Sequence, residues 1–185
     1  MADTGERSPQ AQSGFQAQGA YAIDSNESTQ ASVIQYNTAA LYFFVSDFDG
    51  DDIPAGSTIN GVKLIIRANY SISFAATKFN EVRVSLDGVS GTYSGNIGAQ
   101  NLTTSAADYD FGGDDELWGL DWSGWTDLSN LAFKVQVDQQ NASDTVSITQ
   151  VSEIDAIIYY AGVPEPTVKI ASGTLTLKGG NFTIK

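Results

Sequence analysis

The stretch GVKLIIRANYSI, from Gly61 to Ile72, decides the fold. Val62, Leu64, Ile66, Ala68, Tyr70 and Ile72 fall on one face, while Lys63, Arg67, Asn69 and Ser71 fall on the other. A repeat of two marks a strand with one buried face, because successive side chains leave a pleated backbone on opposite sides. The run is long and follows a turn signal directly, so it is expected at the centre of a sheet.

The same alternation returns on either side. Val82, Val84 and Leu86 alternate with Glu81, Arg83 and Ser85, and Asp87-Gly88 then supplies a turn. Leu131, Phe133, Val135 and Val137 alternate with Ala132, Lys134, Gln136 and Asp138. Ser32 to Tyr36 and Leu41 to Val45 read as earlier strands; Val146 and Ile148 begin a later one, and Ile154 to Tyr160 form another. No window carries helical periodicity. Short strands parted by Gly, Asn, Asp and Ser turns indicate an all-β chain, a two-sheet β-sandwich of jelly-roll-like form.

Composition divides the chain further. Residues 1–30 are rich in Gln, Ser, Ala and Gly and read as an extended N-terminal lead-in, with the sandwich expected over 31–160. AGVPEPT, over 161–167, holds two prolines and reads as a stiff linker. Over 168–185, GTLTLK is followed by GNFTIK around Gly179-Gly180, which is the pattern of a C-terminal β arm or hairpin. A hairpin alone is marginal in water. The arm is therefore expected to pair with a sheet edge or cross to another chain, through Val168, Lys169, Ile170, Leu175, Leu177, Lys178, Phe182, Ile184 and Lys185.

Histidine and cysteine are absent, which excludes thiol catalysis, a Ser-His-Asp triad, and ordinary zinc, copper or haem ligation. No cofactor is expected. The formal charge of −13 argues against nucleic acid or an anionic membrane as partner. MADTGERSPQ lacks the apolar core of a secretory signal, and no window approaches the roughly 20 apolar residues of a membrane helix. Three lysines and no acids follow Thr167, leaving six basic residues against 22 acidic in the remainder. A basic tail on an acidic body suits docking on a copy of that body.

Two acidic clusters are the candidate sites. DFDGDD, before Ile53, offers Asp47, Asp49 and Asp51 as calcium ligands. An EF-hand loop needs glycine at its sixth position and glutamate at its twelfth. Counted from Asp47, glycine stands fourth and Thr58 twelfth, so only a non-EF oxygen cage or a solvated turn is left. DYDFGGDDELWGLDW, Asp108 to Trp122, sets six carboxylates near Trp118, Trp122 and Trp125. Exposed tryptophans beside acids could stack on sugars, and two such acids could flank a glycosidic bond. Alternatively, the indoles plug the end of the sandwich and the acids solvate a loop.

Four segments occur in an order that resembles a recurring β-sandwich domain of tailed-bacteriophage structural proteins. They are IPAGSTINGVKLIIRA (Ile53 to Ala68), DDELWGLDW (Asp114 to Trp122), NLAFKVQV (Asn130 to Val137) and EIDAIIYY (Glu153 to Tyr160). The lead-in, TGERSPQAQSGF and then AYAIDSNESTQAS, is similar to that domain's usual start. The resemblance spans Gly14 to Tyr160; the acidic loop before Ile53 and the lysine-bearing arm depart from it. It implies a non-enzymatic virion component, such as a capsid decoration or cement protein or a neck or tail fibre. The implied partners are other virion proteins and copies of itself in a homotrimer, with assembly in the bacterial host cytoplasm. A carbohydrate-binding module for host-surface glycans, centred on the three tryptophans, is the alternative.

Overall fold

A computed structural model of the chain describes residues 2–15, 19, 30–36, 40–48, 53–71, 76–139 and 146–162. Among the described residues the regular elements are ten strands and a 3-10 turn: β1 Ala2–Asp3, β2 Pro9–Ser13, β3 Ala31–Tyr36, β4 Leu41–Phe48, β5 Thr58–Tyr70, β6 Thr77–Ser85, β7 Gln100–Asn101, β8 Ala107–Gly112, β9 Ala132–Gln139 and β10 Val146–Ala161. The 3-10 turn is Leu128–Asn130.

The strands form two antiparallel sheets, a β-sandwich. In the first, β10 lies between β5 and an edge shared by β1 and β3, and β5 is followed by β8. The order in the second is β2-β4-β9-β6-β7. The long strand read from sequence is β5, and it is central: β10 pairs along one side of it and β8 along the other. Its alternation is realised from Val62 to Ala68, with Val62, Leu64, Ile66 and Ala68 buried and Lys63, Ile65 and Arg67 half-buried on the outer face; Tyr70 is half-buried, and Ile72 lies outside the described residues.

Across the interior, Phe43 and Val45 of β4 and Phe133, Val135 and Val137 of β9 meet Leu64, Ile66, Ile154 and Ile158 of the opposite sheet in one core. Each such side chain is worth about 1.5–3 kcal/mol when withdrawn from water. Edge-on aromatic pairs bind the layers, with Phe79 of β6 at 5.5 Å from Tyr109 and 5.8 Å from Phe111 of β8. A buried hydroxyl bond from Thr149 to Thr77, 2.9 Å, crosses between sheets.

Two differences from the sequence reading have clear causes. The segments beginning at Val146 and Ile154 are one strand of 16 residues rather than two. A register shift between Val151 and Glu153 interrupts the alternation without ending the pairing, as a β-bulge does. Strands also precede residue 31. Ala2 and Asp3 pair with Tyr160 and Tyr159, Arg7 exchanges backbone bonds with Ala156 at 2.9 Å, and the chain then crosses to lie beside β4 as β2. Residues 2–13 thus run along β10 where β3 does not reach, and join both sheets.

Candidate functional site

Two of the four motifs, IPAGSTINGVKLIIRA and DDELWGLDW, meet at one end of the sandwich. The Ile53–Ser57 turn closes with Ser57 N–H donating to the Pro54 carbonyl at 3.0 Å, and Gly56 takes φ +84. Ile53 N–H donates to the Thr126 carbonyl at 3.2 Å, tying this turn to the tryptophan loop. That loop is in turn fastened to the start of β5. Val62 N–H donates to the Glu116 carbonyl at 3.0 Å, and the Val62 carbonyl accepts from Gly113 N–H at 3.2 Å.

Trp118 sits at the centre of this closure. It is 1% exposed, its indole N–H donates to the Val62 carbonyl at 2.8 Å, and its ring meets Phe133 edge-on at 5.7 Å. Its backbone is left-handed, φ +58, which is unfavourable for a bulky residue and persists only when the surroundings hold it. The Glu116 carboxylate contributes by accepting from Trp118 N–H at 2.7 Å. Space is equally constrained at Gly61, where a Cβ would stand 2.2 Å from the Gly113 carbonyl oxygen.

Of Trp118, Trp122 and Trp125, the alternative glycan contacts, the first two are buried in the core and Trp125 is half-buried. Trp122 is also buried, 5% exposed, with its N–H given to the Leu117 carbonyl at 2.8 Å. Trp125 packs edge-on against Trp122 at 5.0 Å and is partly buried against the core. Trp118 and Trp122, being buried, present no face to a sugar. The indoles plug the end of the sandwich, and a groove of about 470 Å³ beside them is lined by Ser57, Leu117, Leu120, Asp121 and the edge of Trp122.

The six acids of this segment divide by position. Asp108 and Asp110 lie on an edge strand, β8, rather than in the loop, and bond across to β5: Asp108 to Arg67 at 2.9 Å and Asp110 to Lys63 at 2.7 Å. Both carboxylates are more than half exposed, so each pair is worth less than about 1 kcal/mol. Farther along the chain, Asp127 accepts from Ser129 N–H and Oγ and from Asn130 Nδ2, capping the 3-10 turn. These bonds hold its carboxyl below the usual carboxylate range, the Ser129 side chain contributing most.

Asp47 closes β4 in a left-handed conformation, φ +58, with its side chain exposed. Asp49 and Asp51 lie outside the described residues, as do Val168, Lys169, Ile170, Leu175, Leu177, Lys178, Phe182, Ile184 and Lys185. Among the described residues no three acids gather in a metal-holding group.

One surface escaped the sequence reading. Tyr42 and Phe44 alternate with the buried Phe43 and Val45 and face outward from the second sheet. The Lys134 ammonium lies over the Tyr42 ring at 4.2 Å, and Phe44 lies 6.4 Å from Tyr93. Burial raises the Tyr42 and Tyr93 phenols above their ordinary value, with the Glu81 charge adding to the effect at Tyr42. The signal was present in Leu41 to Val45, but an unbroken apolar run conceals which alternate residues face out.

No family model matches the chain. No curated protein matches it either. Among solved structures, it is similar to one described as "CBM4 structure and function", at 11% identity and TM-score 0.37, over 69% of this chain and 83% of that one. A cryo-EM structure of Broad Bean Stain Virus is similar at 11% identity and TM-score 0.29, over 78% and 94% respectively. Both scores lie below the level at which two chains share a fold.

Proposed function

We propose that this chain is a non-enzymatic structural protein of a tailed-bacteriophage virion. It is displayed on the particle as a capsid decoration or cement protein, or as a neck or tail fibre component, and its strand-forming terminal segments anchor it. The observation that carries the reading is the role of the phage-like motifs. All four supply the closed end and the central strands: the Ile53 turn and β5, the Trp118 plug, β9 and β10. The residues that carry the resemblance are thus ones that build this sandwich. Its acids support the same reading, since Glu116 and Asp127 are engaged in holding backbone N–H groups.

The place of the N-terminal strand supports anchoring through the termini. Ala2 is the register partner of Tyr160, so the N-terminal strand and the exit toward the linker lie side by side at one end of the first sheet. Partners are other virion proteins and copies of this chain, arranged as a homotrimer. Deleting residues 162–185 tests the anchor: the shortened protein is expected to fold and to be missing from purified particles. Normal incorporation would refute the anchoring role.

For carbohydrate binding, the second reading, the outward aromatics Tyr42, Phe44 and Tyr93 are the better candidate contacts, because Trp118 and Trp122 are buried. A glycan array separates the readings. Specific retention of a host glycan, lost on replacing Tyr42 and Phe44 by alanine, would favour this one.

A further inference from the structure

We propose that the outer edge of β8 receives a strand from the C-terminal arm of a second copy. The proposal rests on the assembly reading above and names the acceptor within it. In an antiparallel ladder, backbone groups face the partner strand and solvent alternately. Gly113 N–H donates to the Val62 carbonyl, so the odd-numbered residues of this segment face β5, and the backbone groups of Asp108 and Asp110 face away. The Asp110 carbonyl is held by the Gln100 side chain, an exposed bond of 2.6 Å. Gln100 blunts the edge without adding a strand there, and a swing of one side chain opens it.

Face and charge select this edge over the others. On β8 the acids Asp108 and Asp110 are exposed on the outer face while Tyr109 and Phe111 are buried on the inner one. In the arm, Leu175 and Leu177 alternate with Thr174, Thr176 and Lys178, and Phe182 and Ile184 alternate with Asn181, Thr183 and Lys185. A strand added with its leucines toward the interior places lysine on the same side as the aspartates. Of the competing edges, β2, PQAQS, β3, ASVIQY, and β7, QN, hold no charged residue, and β1, AD, holds one acid, Asp3, against two on β8.

The donor is a neighbour because of the linker. Val163 and Glu165 each precede proline, which restricts them to extended backbone. An extended stretch of four residues spans about 12 Å. Within one chain, β8 lies two strands from β10, about 10 Å away, and runs parallel to it, since both are antiparallel to β5. Reaching it in the same copy demands a reversal of direction between that stretch and Leu175, a loop closure that pairing with a neighbouring copy does not impose.

The test uses full-length protein. Proline at 110 removes an outward N–H without touching the β5 ladder, a position where an edge strand tolerates it. Sedimentation should show Asp110→Pro weakening self-association at least tenfold, with Asp110→Ala, which loses only the ion pair, weakened far less. Unchanged association in a folded Asp110→Pro variant, or a monomeric wild type, overturns the proposal. If Asp110→Pro fails to fold, cysteine pairing decides, as the chain has no cysteine of its own. Asp110→Cys copies mixed with Thr174→Cys, Thr176→Cys or Lys178→Cys copies should form intermolecular disulfides, and Gln10→Cys copies should not. Bonds formed equally at Gln10, or only within single chains, overturn it. Should residues 162–185 be needed for particle incorporation while these tests show no β8 contact, the acceptor is wrong and the assembly reading stands.

Discussion

The indole N–H of Trp118 donates to the carbonyl of Val62 across 2.8 Å, and the same carbonyl accepts from Gly113 N–H. One backbone oxygen at the start of the central strand thereby fastens the tryptophan loop. Trp118→Ala should cost about 3–5 kcal/mol, the loss for a buried aromatic. Trp118→Phe keeps much of the packing but removes one donor from a buried acceptor, and about 1–3 kcal/mol is expected. Urea midpoints measure both; a Trp118→Phe variant as stable as wild type would show that the hydrogen bond contributes nothing.

Gly112 is the second constraint at this oxygen. It has φ +78, and a Cβ there would stand 2.2 Å from the Val62 carbonyl oxygen and 2.8 Å from the Trp118 indole nitrogen. Gly112→Ala is expected to destabilise by at least about 1–3 kcal/mol from backbone strain alone. The near-ultraviolet signal of the tryptophans should change as well. Gly113→Ala, where a Cβ meets open space, should change the melting temperature far less.

Asp127 carries a pH signature. Its folded-state carboxyl is held down by Ser129 and Asn130, so the bound proton is disfavoured in the fold relative to the unfolded chain. Its stabilisation is complete above the unfolded value and is lost as pH falls through the folded one. Stability measured from pH 6 to pH 2 should therefore fall less steeply in Asp127→Asn than in wild type. At pH 6, Asp127→Ala should lose about 0.5–2 kcal/mol, as other cap deletions do. Parallel pH profiles for wild type and Asp127→Asn would contradict the assignment.

The tryptophans supply an optical check on their reassignment. With Trp118 and Trp122 buried, their emission should be blue-shifted and poorly quenched by iodide, and polysaccharides should leave it unchanged. Sugar-dependent quenching would restore the indoles as ligand contacts.

The sandwich was legible because β5, β6 and β9 each bury one face, which writes a period of two into Val62 to Ala68, Val82 to Val84 and Leu131 to Val137. β8 was harder to see. Its inward residues are only Tyr109 and Phe111, and its outward aspartates read as part of a loop cluster until the pairing with Arg67 and Lys63 placed them on a strand. β1 and β2 were hidden for a related reason: edge strands such as PQAQS bury little, so their sequence holds no alternation to read. The role of the tryptophans turned on burial, which a run of acids beside indoles does not encode. Two conformations at φ +58, Asp47 and Trp118, likewise follow from neighbours distant in sequence.

The central claim, a displayed virion protein, is tested most directly by electron microscopy of purified particles made with and without this gene. The expected result is the loss of a discrete surface feature at repeated, symmetry-related positions on head, neck or tail, restored by the wild-type protein and not by the chain lacking residues 162–185. Particles of identical density in all three preparations, with the protein absent from each, would contradict it.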